Sequence, residues 1–203
     1  VNGKSRAGAA VGGEAGGANS DGIRLGYSGN STINTGTGTI LFDGVGQGTN
    51  NVSIGVEFCS AGGAATAHSV TSAATSGDAI TITGVGTTEA ATTHSEGVFV
   101  HNGTTISATG GGNIAITGTT GGGANPQATW FNTGSDVNAG AGDLTVTGDT
   151  INILGTLQGT GALTIKPKTD ATSIGIAGGA GTLGLTAAYI GQLADGFSDI
   201  TIG

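Results

Sequence analysis

The sequence predicts an all-β chain folded as a parallel β-helix, or β-solenoid, with about three short strands in each coil and loop insertions between them. Three observations predict this fold class. Glycine makes up 44 of the 203 residues, β-branched residues recur in short runs, and three apolar phrases repeat in a fixed order. Glycine turns between runs of Val, Ile and Thr are typical of many short strands. Units of this kind cannot bury their apolar faces alone, but they can do so by stacking.

The third phrase of each unit alternates apolar residues with polar ones, most often threonine, and usually ends in glycine. Its copies begin at Ile40, Ile80, Ile114, Leu144, Leu163 and Ile200. A period of two places the first and third residues of a copy on the same face of a strand. Stacked copies therefore predict an inward apolar column along one side of the solenoid. Residues such as Thr81 and Thr145 are then expected to point outward.

Two further phrases precede the third one in each unit. The copies of the first phrase are Ile23-Arg24-Leu25, Val56-Glu57-Phe58, Val98-Phe99-Val100 and Thr129-Trp130-Phe131. The copies of the second phrase centre on Ile33, Val70, Ile106 and Val137. The longer units must carry their extra residues as loops, for which 59–68 and 86–96 are the candidates.

The chain divides into two parts by composition. Residues 1–20 are a low-complexity, Gly/Ala-rich end segment, and residues 21–203 are the predicted solenoid domain. We expect the solenoid to continue beyond residue 203 or to dock to another copy. An antiparallel β-sandwich would also give evenly spaced strands. The fixed order of the phrases favours stacking, and the short step from Leu144 to Leu163 leaves little room for a sandwich crossover.

The style of the repeats resembles a known family. The phrases GTTISATGGGNIAITGTTGGG and GAGDLTVTGDTINILGTLQGTGALTIKP are similar to the repeat regions of filamentous-haemagglutinin-like bacterial exoproteins and related surface adhesins. The resemblance covers roughly residues 21–203 and rests on repeat style. It implies a right-handed β-helix shaft at the extracellular cell surface, with adhesive or structural work and no enzymatic activity.

Charge and hydropathy exclude several classes of partner. The net charge is −8, and the basic residues form no patch, which argues against nucleic acid. No apolar run approaches the roughly 20 residues of a membrane span, which argues against membrane insertion. The single cysteine, Cys59, excludes a disulfide within the chain and any metal motif built from several cysteines.

Some β-helix proteins degrade polysaccharide, and that activity would need carboxylates from neighbouring coils in one groove. The candidates are Asp136, Asp143 and Asp149, which are also in places where Asp commonly stabilises turns. No arginine or lysine lies between Arg24 and Lys166 to bind an acidic polysaccharide. We therefore predict no enzyme and no catalytic residues, with a carbohydrate-binding or polysaccharide-degrading β-helix as the less favoured alternative.

The histidines and the cysteine offer two weaker hypotheses. His68 and His94 would form a metal site only if their loops converged with a carboxylate such as Glu96. Cys59 and His101 occupy equivalent places after the first strand of successive coils, so a Cys-His nucleophile pair is conceivable, although no orienting group is evident. The sequence GGAGTLGLT (178–186) has a leucine where the calcium-binding nonapeptide has Asp. We predict no metal site and no cofactor.

The outward side of the first phrase is the candidate contact surface. If the flanking residues face inward, Arg24, Glu57, Phe99 and Trp130 form an outward row. Arg24 and Glu57 would be neighbours across one coil step of about 4.8 Å, as a surface ion pair. Phe99 and Trp130 would be adjacent exposed aromatic residues, which often mark contact surfaces.

These observations together predict a structural and adhesive solenoid segment of a large secreted bacterial surface protein. The alternative is a subunit of a self-assembling extracellular fibre, in which coils stack end to end. The expected partners are other copies or the rest of a longer chain, and a host-surface or matrix glycan or protein.

Overall fold

The computed structural model describes residues 2–4, 21–26, 29–47, 52–59, 67–88, 93–122 and 127–203. Its strands are β1 (Asn2–Lys4), β2 (Ile23–Leu25), β3 (Ser31–Asn34), β4 (Ile40–Val45), β5 (Val56–Phe58), β6 (His68–Ser72), β7 (Asp78–Val85), β8 (Val98–Val100), β9 (Thr104–Ala108), β10 (Asn113–Thr119), β11 (Thr129–Phe131), β12 (Asp136–Asn138), β13 (Leu144–Thr147), β14 (Ile151–Ile153), β15 (Thr156–Gln158), β16 (Ala162–Lys166), β17 (Ile174–Ile176), β18 (Leu183–Leu185) and β19 (Asp199–Ile202). One short helix, α1, spans Ala187–Ile190. Within the described ranges, no helix is long and apolar enough to cross a membrane.

The strands form three stacked parallel sheets, which confirms the parallel β-solenoid. The first-strand sheet contains β2, β5, β8, β11 and β14, and the second-strand sheet contains β3, β6, β9, β12 and β15. The third-strand sheet contains β1, β4, β7, β10, β13, β16 and β19. Each coil from β2 to β16 gives one strand to each sheet. After these coils, β17 pairs with β18.

The predicted register is confirmed in both apolar columns. In the third-strand sheet, each copy of the phrase lies beside the next, from Ile40 through Ile80 and Ile114 to Ile200. In the second-strand sheet, the central residues pair in the same way. The inward residues of the third-strand column are buried from Ile40 to Ile165, whereas Thr81 is only partly buried. Alternation within each strand and stacking between coils together build one continuous core.

The glycine that ends the third phrase is needed for a close approach between coils. A Cβ added to Gly84 would lie 1.9 Å from the carbonyl oxygen of Gly97, and one added to Gly118 would lie 1.8 Å from that of Ala128. Ordinary contacts of a Cβ begin near 3.4 Å. The end of each third strand therefore passes against the backbone that leads into the first strand of the next coil, where no side chain fits.

The insertions lie at the corners on either side of the first-strand sheet. Both predicted loops, 59–68 and 86–96, begin and end at these corners, while their central residues lie outside the described ranges. Of the predicted end segment 1–20, the structure describes only β1, which pairs with β4. The first-strand sheet is thus flanked by long connections.

The carboxyl-terminal end of the solenoid presents apolar residues. Leu183, the residue in the position of the calcium-ligating Asp, is buried in the core as part of β18. Leu193 makes an isolated parallel bridge with Leu157 of the second-strand sheet. β19 is the last strand of the third-strand sheet, and its Ile200 is 47% exposed. Phe197 packs against the core but is only partly buried.

Candidate functional site

The predicted outward row exists, but it is largely covered. Arg24, Glu57, Phe99 and Trp130 are successive partners along the first-strand sheet. Phe99 is only 5% exposed and Glu57 is also buried, while Trp130 is partly buried. The expectation of an exposed aromatic pair is therefore wrong for Phe99. Partner contact through the four residues of the row stays a prediction.

Side chains from the corners cover the row. The ring of His94, from the 86–96 loop, lies 6.3 Å from the ring of Phe99 and 6.2 Å from that of Trp130, measured between centroids. The ring of His101, just after β8, stacks on Phe99 at 3.7 Å. Period-two alternation decides on which side of the sheet a residue lies, but the connections of neighbouring coils decide whether solvent reaches it.

The aromatic residues stack along the solenoid axis. The rings of Phe99 and Trp130 are 4.5 Å apart and nearly parallel, with an angle of 9° between their planes. On the other side of Trp130, the next residue in register is Asn152, whose Oδ1 accepts a hydrogen bond from the Tyr189 hydroxyl at 2.6 Å. A sugar that stacks on an aromatic residue needs a free ring face. The Phe99 ring meets the rings of both His101 and Trp130, which favours a structural role over a glycan platform.

The predicted ion pair between Arg24 and Glu57 is present, with 2.9 Å between Nε and Oε2, but it belongs to a group of buried and partly buried polar side chains. The Arg24 guanidinium also donates to Cys59 Sγ at 3.0 Å and lies 3.8 Å from Asp21 Oδ2. His101 Nε2 is 3.0 Å from Glu57 Oε1. These five residues, Asp21, Arg24, Glu57, Cys59 and His101, are called the polar cluster below. Because Glu57 is buried, its ion pair is not the surface pair that the sequence predicts.

Burial and charge set the protonation of the polar cluster. Burial raises the pKa of Asp21 to about 8, and the negative charge of Glu57 adds to this effect. Burial also acts to raise the pKa of Glu57, but the hydrogen bond from His101 and the charge of Arg24 lower it overall. At neutral pH, Asp21 therefore keeps its proton and Glu57 is a carboxylate.

Cys59 is a poor nucleophile in this environment. Burial and the charge of Glu57 raise the pKa of its thiol, against the opposing effect of Arg24. The thiolate is the reactive form of cysteine, and a buried neutral thiol is inert. Cys59 and His101 do come together, as their equivalent places in the coil predict, but the Cys-His nucleophile hypothesis gains no support.

The three candidate aspartates hold adjacent coils together. Asp136 Oδ1 accepts from the Gln158 side chain at 2.6 Å, and Asp143 Oδ1 accepts from the amide of Ala162 at 2.8 Å. Asp149 accepts hydrogen bonds from three residues of the turn that follows β16. Each carboxylate thus bonds to the next coil, and the three carboxylates do so at different places. This arrangement favours a structural role for all three over a catalytic one.

The remaining histidines have separate partners. His68 Nε2 contacts the carbonyl oxygen of Cys59. His94 Nδ1 lies 2.9 Å from Glu96 Oε1, and the hydrogen bond to this buried carboxylate raises the pKa of His94. His94 and Glu96 therefore lie together, as a metal site built from His68, His94 and Glu96 would require. Among the described residues, however, His68 does not join them in a group of potential metal ligands.

Sequence reasoning missed Asp21 and the combination of Glu57 with Cys59 and His101. The signal for Asp21 is the pair Asp21-Gly22, which precedes β2 as Glu96-Gly97 precedes β8. An acidic residue followed by glycine at the same corner of two coils indicates a shared structural position. Glu57 precedes Cys59 by two residues, so both lie on one side of the chain.

A surface cavity of about 340 Å³ lies at the corner that follows β4 and β7. Its lining residues are Val45, Gly46, Gln47, Val85, Gly86, Thr87 and Thr88. This lining offers hydroxyl, amide and backbone groups but no ionisable side chain. The cavity therefore supplies no general acid or base from the residues that are described there.

Comparison of the chain with protein-family models, with curated proteins and with solved structures finds no match. The resemblance to filamentous-haemagglutinin-like exoproteins therefore remains a prediction that rests on repeat style. The geometry of the solenoid and of the polar cluster carries the functional argument.

Proposed function

We propose that the chain is a structural and adhesive β-solenoid segment of a large secreted bacterial cell-surface protein, and that it does no catalysis. The observation that carries this proposal is the column that stays in register from Ile40 to Ile200. Each strand inside such a stack bonds to the coil before it and the coil after it, so the stack resists bending and stretching. A stiff rod is what a surface shaft requires.

The use of polar side chains supports the same proposal. The carboxylate oxygens of Asp143 and Asp149 accept hydrogen bonds from backbone amides of the following coil. The rings of Phe99 and Trp130 stack on each other across two neighbouring coils. These groups hold neighbouring coils together along the solenoid axis, which is what a shaft needs.

The carboxyl-terminal end supports extension of the rod. Ile200 is 47% exposed on the last strand of the third-strand sheet, and Phe197 and Ile202 are only partly buried beside it. An apolar end with a strand edge fits a further coil. This coil belongs to a longer chain in the shaft proposal. In the alternative it is the β1 end of a second copy, which makes the chain the subunit of an extracellular fibre.

Surface labelling and size test the shaft proposal. Antibodies against residues 21–203 are applied to intact source cells, and the native polypeptide is sized by immunoblot. We expect labelling without permeabilisation, removal of the label by added protease, and a mass far above 19.1 kDa. Labelling that appears only after permeabilisation contradicts the proposal, and a surface-labelled polypeptide near 19.1 kDa favours the fibre.

Electron microscopy of the purified chain tests the fibre alternative. A fibre subunit forms filaments with an axial repeat of about 4.8 Å by diffraction. Ile200→Lys places a charge on the apolar end and abolishes these filaments, whereas Thr201→Lys, on the opposite side of the same strand, retains them. Dispersed monomers under the same conditions favour the shaft over the fibre.

A further inference from the structure

We propose that Glu57, Cys59 and His101 form a binding site for a borderline-soft divalent transition-metal ion, for which Zn²⁺ is the probe. Their carboxylate oxygen, thiol sulfur and imidazole nitrogen all lie within 4.8 Å of one another. Oxygen, sulfur and nitrogen ligands of these three kinds are the ones that Zn²⁺ takes in proteins. This site goes beyond the proposed shaft function and does not depend on it.

The fold holds the three ligands on rigid backbone. Glu57 is the outward residue of β5, and Cys59 follows on the same side of the chain. The Cys59 amide donates to the Leu25 carbonyl at 2.9 Å, and the His101 amide donates to the Phe58 carbonyl at 3.1 Å. Because stacked coils fix these positions, the ligands need only side-chain rotation to close on an ion.

The distances are close to those of a tetrahedral site. Bonds of about 2.0–2.3 Å place the ligand atoms of Zn²⁺ roughly 3.3–3.8 Å apart. His101 Nε2 and Glu57 Oε1 are already 3.0 Å apart. The separations within the group reach at most 4.8 Å, so no pair of ligands must close by more than about 1 Å around the ion. Three protein ligands leave the fourth position for water.

Arg24 marks the place where the site stabilises positive charge. Its guanidinium contacts two of the three ligands, Glu57 at 2.9 Å and Cys59 at 3.0 Å. The Arg24 side chain is 16% exposed, so it can move outward, whereas the Glu57 carboxylate is fixed in the interior. We infer that the metal ion displaces this guanidinium, and that the Cys59 thiol loses its proton to solvent when the sulfur coordinates.

Asp21 adds a second carboxyl group to the surroundings of the site. This residue is buried, and its Oδ1 accepts a hydrogen bond from the Ile54 amide at 2.8 Å, which leaves Oδ2 on the side of Arg24. The same oxygen lies 3.8 Å from Arg24 Nη1. Two carboxyl groups and a thiol thus converge on a single guanidinium, so potential oxygen and sulfur ligands outnumber the cation beside them. When an ion takes Glu57 and Cys59, Arg24 still has Asp21 as its partner.

Calorimetry and cobalt spectroscopy on the full 203-residue chain, first stripped with a chelator, test this site. We expect one equivalent of Zn²⁺ to bind, and Cys59→Ser or His101→Gln to weaken binding at least tenfold. His94→Gln is the matched control, because it removes a neighbouring imidazole outside the group, and it leaves the affinity within threefold. Arg24→Met strengthens binding, since it removes the competing cation.

Circular dichroism shows whether each variant folds. If a variant does not fold, Co²⁺ binding to the unaltered chain still tests the site. Co²⁺ bound to the unaltered chain gives a sulfur-to-cobalt charge-transfer band in the near ultraviolet. The absence of saturable Zn²⁺ binding, or Co²⁺ binding without this band, overturns the proposal. It is also overturned if His94→Gln weakens binding as much as His101→Gln, or if Arg24→Met weakens it as much as Cys59→Ser.

Discussion

Replacing Gly118 by alanine tests whether the glycine of the repeated phrase is required by the approach of neighbouring coils. The new Cβ would lie 1.8 Å from the Ala128 carbonyl oxygen and 2.5 Å from Thr129 Oγ1. It would be about 1.5 Å too close to that oxygen, so the backbone of Ala128 must move. That carbonyl accepts a hydrogen bond from the Val98 amide at 3.0 Å, which the movement breaks.

The expected cost follows from these contacts. Overpacking a well-filled interior costs about 1–3 kcal/mol, and loss of one backbone hydrogen bond costs about 1 kcal/mol. We therefore expect Gly118→Ala to lower the free energy of unfolding by about 3 kcal/mol. Urea unfolding followed by the fluorescence of Trp130, the only tryptophan, measures this change beside the altered position.

Gly184→Ala is the matched control for this experiment. Gly184 also lies within a strand, β18, but the nearest atom to an added Cβ is 3.7 Å away. Alanine there fits without displacement and reduces the freedom of the unfolded chain, so we expect no loss of stability. A Gly118→Ala variant within 0.5 kcal/mol of the unaltered chain (about the scatter of surface substitutions) would refute the close-approach explanation.

Three further predictions follow from other parts of the solenoid. Ile116→Ala removes a fully buried side chain of the apolar column and should cost about 2–5 kcal/mol by urea unfolding, whereas Leu41→Ala, at an exposed position of the same sheet, should cost less than about 1 kcal/mol. Tyr189→Phe removes the hydroxyl that bonds to the first-strand sheet and should cost about 0.5–1.5 kcal/mol; an unchanged unfolding midpoint would contradict that bond. The pKa of His94 is raised by its hydrogen bond with Glu96, so its contribution to stability is complete below pH 6.5 and is lost as the pH rises through the higher folded-state pKa. His94→Gln should therefore destabilise the chain more at acidic than at alkaline pH, and an equal loss across this range in pH-dependent unfolding would argue against the pairing.

The register of the coils could be predicted from the sequence because two simple periodicities specify it. Alternation with a period of two selects the inward residues of each strand, and a one-residue slip would turn Ile114 and Ile116 out of the core. The fixed order of the phrases then selects which strand stacks on which. Both features are local in the sequence, and the structure reproduces them in each sheet.

The environment of the first-strand row could be predicted only in part. Its order, from Arg24 through Glu57 to Phe99 and Trp130, follows from the same alternation. Its burial does not, because the covering rings of His94 and His101 come from the corners before and after β8, where no periodicity constrains the side chains. The ring of His94, for example, reaches Phe99 from the corner that precedes β8.

The sequence by itself determined the fold class, the strand order and the apolar columns, because these depend on periodic patterns that stacking must satisfy. Only the tertiary structure decided that Asp21, Glu57, Cys59 and His101 share one buried site around Arg24. These residues come from successive coils and from corners between strands, where no periodicity constrains the side chains. Their proximity follows from the coil step of about 4.8 Å, which brings the corners of neighbouring coils together.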